Sequence, residues 1–202
     1  MYRIYEYNDN LNLDQFYKTA TERGFYNNNS KEKLVDTFTH LNSWKVWIVY
    51  YNNTAVGSVA AHSLEELGIL GNAYRIGARL CSFDNLIGDR KTLRTRNTVL
   101  VKHQSLTSQL LIPICIEWLG KEKDLYLSTN ENETGSQRLV HKTACPTWNK
   151  SGILDKPIDL EYRNAIQSFW KVNVEEFYTQ LRKHQWPEAR LALREYLGYD
   201  IV

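Results

Sequence analysis

WKVWIVYYNNTAVGSVAAH, residues Trp44 to His62, is the stretch on which the fold turns. Its first part, Trp44 to Tyr51, is dense in aromatic and β-branched side chains, which suit a pleated strand. Asn52 and Asn53 follow, two residues that accept positive φ at small cost, as a two-residue hairpin turn requires. Thr54 to His62 then returns as a second strand, thin in bulk, with Gly57 among small and branched neighbours. Small residues there let a neighbouring helix or a ligand come close, and they suit an ordinary small-residue strand equally well.

Outward from this hairpin the periodicities alternate. After a connector at 63–72, Ala73 to Phe83 reads as a long strand, with Tyr74, Ile76, Ala78 and Leu80 on one face and Arg75, Gly77, Arg79 and Cys81 on the other. Leu106, Leu110, Ile114 and Trp118 make one stripe of a helix over Gln104 to Gly120. Pro113 conflicts with a helix interior unless the α-helix starts near Ile112, which puts the proline in its first turn. Asp124 to Asn132 is the next strand. Upstream, Tyr2 to Tyr7 alternates as a strand, and two amphipathic helices follow. The first carries Leu13, Phe16, Tyr17 and Ala20 and stops at Gly24; the second opens at Asn29 and Glu32 and carries Leu34, Val35, Phe38 and Leu41.

Downstream, Pro146 and Pro157 bound a loop, and Tyr162, Ile166, Phe169 and Trp170 have helical or mixed spacing. Asn173 and Glu176 form a capping box for a helix that turns Phe177 and Leu181 inward. Pro187 opens a last helix, with Leu191, Tyr196 and Leu197 before Gly198 as its stop. The expected class is α/β (α+β), with a central mixed, largely antiparallel sheet flanked by helices on both faces. One domain spans 1–202, with a basic insertion at about 84–103 and a helical C-terminal extension at about 160–202.

Composition narrows the function. The 202 residues are 43% hydrophobic and 12% aromatic, enough for a real core. Twenty-five basic residues against 23 acidic leave a charge of +2, which by itself gives no case for nucleic acid. Cys81, Cys115 and Cys145 are odd in number, widely spaced and without a zinc-ligand pattern, so reduced thiols and no metal are expected. MYRIYEYNDN is not a secretory leader, and no run of apolar residues is long enough to span a bilayer. A soluble, cytoplasmic protein with no membrane partner is the expectation.

The order of hairpin, strand, apolar helix and strand, over Trp44 to Asn132, resembles the GNAT superfamily of N-acetyltransferases, and the resemblance extends over roughly residues 44 to 145. It implies acetyl-CoA as cofactor and an amine as acceptor. In that layout the cofactor's amide arm pairs with the end of the central strand, here the backbones of Leu80, Cys81, Ser82 and Phe83. The family's glycine-rich phosphate loop has no counterpart here. About twenty residues follow Phe83 instead, and Gln104, Ser105, Thr107 and Ser108 at the helix start are the amides and hydroxyls left to meet a pyrophosphate. Asn130 ends the following strand and joins the expected cofactor site.

The family's tyrosine acid is also missing, because Val140 falls on its position. His141, beside it, has an ordinary pKa suited to proton transfer. Tyr126 is a second possible acid, and Glu66, with Glu65, a base acting through water. Each has a plainer reading: a surface histidine, a core tyrosine, loop charges. Cys145 shows no feature that lowers a thiol pKa. The basic run Arg90, Lys91, Arg94, Arg96 and Lys102 reads as a solvated excursion or as a grip on phosphates, a nucleotide or DNA. Trp148, Trp170 and Trp186 suit packing better than base stacking. Two classes remain. The first is a GNAT-like N-acyltransferase moving an acetyl or other acyl group from a CoA thioester to an amine. The alternative is a non-catalytic binding protein on that fold, contacting nucleic acid or a protein partner through the 90–102 segment.

Overall fold

The computed structural model describes residues 1–6, 45–80, 106–129, 151–162 and 164–202. Seven strands form one sheet: β1 (Tyr2–Glu6), β2 (Lys45–Tyr51), β3 (Thr54–Ser63), β4 (Ala73–Leu80), β5 (Asp124–Thr129), β6 (Ile158–Tyr162) and β7 (Ala165–Lys171). Their order across the sheet is β1-β2-β3-β4-β5-β7-β6. Every neighbouring pair is antiparallel except β4 and β5, which run parallel. A parallel pair needs a long crossover, and the helical segment between these two strands lies within it.

The opening hairpin forms as its residues dictate. Asn52 and Asn53 have φ of 47° and 64°, both left-handed, so the turn twists with the strands it joins. On one face of the sheet, Tyr2, Ile4, Trp47, Val49, Val59, Ala61, Ile76, Leu125, Leu127 and Trp170 enter the main core. Among the described residues three helices pack on this core: α1 (Ile112–Leu119), α2 (Val174–His184) and α3 (Pro187–Leu197). On the opposite face a second cluster gathers Leu64, Ala73, Tyr126, Tyr162 and Phe169. The sequence-expected helices at Leu13–Gly24 and Asn29–Leu41, and the basic insertion at about 84–103, lie outside the described residues.

Pro113 is accommodated by a change of helical register. Thr107–Leu111 is a π-helical turn, and α1 proper begins at Ile112, with the proline in its first turn. The wider turn keeps the pyrrolidine ring off the preceding carbonyl and needs no N–H from residue 113. Within that turn Gln109 is fully buried. Its Oε1 accepts the Trp186 backbone N–H at 2.8 Å, and its Nε2 donates to the His184 carbonyl at 3.3 Å. One side-chain amide thus satisfies the end of α2 and the start of α3.

The expectation for the C-terminal segment needs one correction. Residues 158–171 are a hairpin, not the beginning of a helical extension, and the helical part starts at Val174. The four-residue spacing of Tyr162 and Ile166 imitates a helix. Asn164, with φ of 60°, is a turn residue between them. Phe169 and Trp170 are consecutive and both buried because β7 is packed on both faces, which hides the alternation of a strand. The two later helices follow their signals. Asn173 Oδ1 accepts the Glu176 N–H at 3.1 Å, and Gly198 closes α3 with φ of 83°. α3 turns Ala189, Ala192 and Leu193 inward, leaving Leu191 at the margin.

Candidate active site

β4 and β5 pair only from Ala73 and Asp124 to Ile76 and Leu127. Beyond that point each strand keeps its outer partner. β4 stays on β3 as far as the pair Gly57 and Leu80, and β5 stays on β7 as far as Thr129 and Ser168. The sheet therefore opens in a V between its two central strands. Along Gly77–Leu80 the backbone amides and carbonyls that face away from β3 are not taken up by β5. Such an edge can hydrogen-bond an extended ligand as if it were an added strand.

On the face away from the three helices, a chain of polar side chains crosses the base of this V. Arg75 of β4 donates through Nε to Ser128 Oγ of β5 at 2.6 Å, and that hydroxyl donates to Gln167 Oε1 of β7 at 2.9 Å. Gln167 Nε2 donates to the Tyr162 carbonyl at 3.3 Å. The Tyr162 hydroxyl lies 3.0 Å from His62 Nε2 of β3, with the two rings stacked 20° from parallel. The Arg75 guanidinium sits over the Tyr162 ring, 4.9 Å from its centre. His62, Ser128, Tyr162 and Gln167 are buried and Arg75 is half-buried. Five strands are tied at one level, and a satisfied buried network of this kind rigidifies what it spans.

The sequence-expected site residues divide between the two ends of the sheet. Tyr126 lies on β5 just below the V, packed on Phe169. Burial first, and then the Asp124 carboxylate, raise its phenol above the ordinary value. It stays protonated at neutral pH, so only proton donation is open to it. Asp124 is paired with Lys171 at 2.7 Å, which in turn raises the Lys171 ammonium. Glu66 is not brought to the V. It belongs to the 64–72 loop at the opposite end of β4, where its N–H donates to Ser63 Oγ at 3.2 Å. Glu65 builds the same loop, accepting the Asn72 N–H at 3.1 Å.

At the helix start, Ser108 is buried within the π-helical turn, with its side chain directed into the protein. Cys81, Ser82, Phe83, Gln104, Ser105, Asn130 and His141 lie outside the described residues, as do Arg90, Lys91, Arg94, Arg96 and Lys102 and Trp148. Cys115 is a buried thiol whose pKa burial pushes well up, which makes it unreactive. Trp170 and Trp186 are core residues. Among the described residues no His, Cys, Asp and Glu cluster suits a metal ion, and no helix is long and apolar enough to cross a membrane.

Sequence reasoning missed His62, Arg75, Ser128, Tyr162 and Gln167 as one group. Alternation put Arg75 on the polar face of its strand, but only strand order joins residues a hundred positions apart.

No family model matches the sequence, and no curated protein matches it. Solved structures do. The chain superposes on an uncharacterized protein of Bacillus halodurans with a TM-score of 0.59 at 11% identity, covering 90% of this chain and 89% of that one. It superposes on the aminoglycoside acetyltransferase AAC(6')-Ib, in complex with coenzyme A and kanamycin, with a TM-score of 0.58 at 10% identity, over 89% and 98% of the two chains. The same enzyme with acetyl-CoA and paromomycin gives 0.57 at 10% identity, over 88% and 96%. The fold of this chain is that of the GNAT N-acetyltransferases, in a divergent sequence.

Proposed function

We propose that this protein is an N-acyltransferase that moves an acetyl or other acyl group from a CoA thioester to an amine. The observation that carries the proposal is the loss of pairing between β4 and β5 beyond Ile76 and Leu127, while both outer pairings continue. The site fits the cofactor's amide arm, because the β4 edge from Gly77 to Leu80 offers alternating donors and acceptors to an extended chain. Cys81, Ser82 and Phe83, which follow β4 in sequence, are assigned to the same arm. Backbone amides of Gln104, Ser105 and Thr107 are assigned to the phosphates, since a helix start carries unpaired N–H groups and partial positive charge. Asn130, next in sequence after β5, is assigned to the same cofactor site.

Bound acetyl-CoA supplies an activated carbonyl with a thiolate leaving group. The protein's part is alignment and the placing of dipoles. On this reading a backbone N–H of Cys81 to Phe83 would hold the thioester carbonyl and supply an oxyanion donor, and the walls of the V would align the amine. His141 and Tyr126 are the proton-carrying groups assigned to this side. A thiolate leaves without full protonation, so loss of either slows the reaction without abolishing it. The acetyltransferase neighbours crystallised with CoA and acetyl-CoA support this reading.

The test is thiol release from acetyl-CoA in the presence of a panel of primary amines. Amine-dependent release, absent in a variant with Gly77→Pro, is the expected result. No release with any amine, together with no shift in melting on adding acetyl-CoA, would remove the proposal.

A further inference from the structure

If the V holds a thioester, its width has to be fixed, because its two walls belong to different halves of the sheet. β4 stays on β3 as far as Gly57 and Leu80, and β5 stays on β7 as far as Thr129 and Ser168, but the ladder joining the halves stops at Ile76 and Leu127. Ser128 is the first β5 residue beyond that ladder. It lies two positions along from Tyr126, the ladder partner of Arg75, and so on the same face. Arg75 reaches forward across the split and donates through Nε to Ser128 Oγ at 2.6 Å.

The hydroxyl works in both directions. It accepts from β4 and donates to Gln167 Oε1 of β7 at 2.9 Å, and Gln167 Nε2 donates to the Tyr162 carbonyl of β6 at 3.3 Å. The donors all point one way, from β4 through β5 and β7 to β6, an order in which each bond polarises the next. The Arg75 guanidinium also lies 4.9 Å from the centre of the Tyr162 ring, which takes the slack out of a long side chain. Ser128 is buried, so water does not compete for its hydroxyl. A charge-assisted hydrogen bond thus stands where the backbone ladder gives out.

We propose that Ser128 is a positioning residue, whose hydroxyl clamps the vertex of the V and holds its walls at the spacing that the cofactor's amide arm needs. The inference rests on the acyltransferase reading, and the experiment separates the two. Calorimetry measures acetyl-CoA affinity in the parent and in three variants, each checked for cooperative melting. Ser128→Ala removes the acceptor and the donor with little change of volume. If the aligned spacing falls to about a tenth of the population, affinity falls about tenfold. Ser128→Thr keeps the hydroxyl on a residue that suits a strand and should return to within about threefold of the parent. Val49→Ala, in the core two strands from β4, lowers the melting temperature without touching the clamp and should bind acetyl-CoA within about twofold of the parent. Hydrogen exchange of the unliganded proteins reads the vertex itself. The ladder amides at Arg75–Ile76 and Tyr126–Leu127 should exchange about tenfold faster in Ser128→Ala, beyond any change shared with β2, and recover in Ser128→Thr.

Unchanged acetyl-CoA affinity in Ser128→Ala, an equal loss in Val49→Ala, or no recovery in Ser128→Thr would overturn the inference. Failure of acetyl-CoA to bind the parent would instead overturn the acyltransferase reading. Exchange at the end of the ladder would then decide the clamp alone, faster exchange in Ser128→Ala upholding it and unchanged exchange ending it.

Discussion

Gln109→Leu removes the amide that joins α1, α2 and α3 while keeping the side chain's size. The Trp186 N–H, bonded at 2.8 Å in a buried setting, would be left without its acceptor, at a cost of about 1–3 kcal/mol. The His184 carbonyl, held at 3.3 Å and belonging to an exposed residue, can turn to water and adds about 0.5–1 kcal/mol. The leucine recovers up to about 1 kcal/mol through apolar burial. The net loss is about 1–3 kcal/mol, which for a chain of this size lowers the melting temperature by about 3–9 °C. Differential scanning calorimetry and urea titration measure it, with an unchanged slope in urea showing that the native and unfolded states are otherwise alike. Melting within about 1 °C of the parent would refute the bridge as a stabilising element.

Leu110 is fully buried in the same turn, and Leu110→Ala should cost about 2–5 kcal/mol in urea, because the two-sided core around it cannot close. Asn53→Val places a β-branched residue at φ of 64° and should cost about 1–2 kcal/mol, visible as an earlier thermal transition. Tyr126, Tyr178, Tyr196 and Tyr199 all have raised phenol pKa values. Burial leads for the first three, and the Glu117 hydrogen bond leads for Tyr199. A raised acid binds its proton more tightly in the native state, so this stability is complete below about pH 10 and is lost as pH rises above it. Ultraviolet absorbance should show Tyr126 and Tyr178 ionising together with alkaline unfolding, and their ionisation at an ordinary pH in the folded protein would contradict their burial.

Local chemistry was legible wherever a few adjacent residues settle it. Asn52 and Asn53 could only turn, Asn173 and Glu176 could only cap, and Pro187 and Gly198 bracket a helix that forms between them. Pro113 announced a break, and the break came as a π-helical turn. The β6 and β7 hairpin was hidden because β7 is covered on both faces, so its buried residues do not alternate. The candidate site was half legible. The opening of the sheet follows from where the ladder between β4 and β5 stops, which no periodicity reports. The network through Arg75 and Ser128 depends on register between strands 53 residues apart, and Glu66 drew notice by charge although its loop stands at the wrong end of β4.

Hydrogen exchange with and without acetyl-CoA tests the central claim most directly. Amides of Gly77–Leu80 that lie on the open side of β4 should exchange quickly in the free protein and slow on cofactor binding, while β2 and the adjoining part of β3 stay unchanged. Acetyl-CoA binding with no protection along Gly77–Leu80, or no binding at millimolar concentration, would contradict the account.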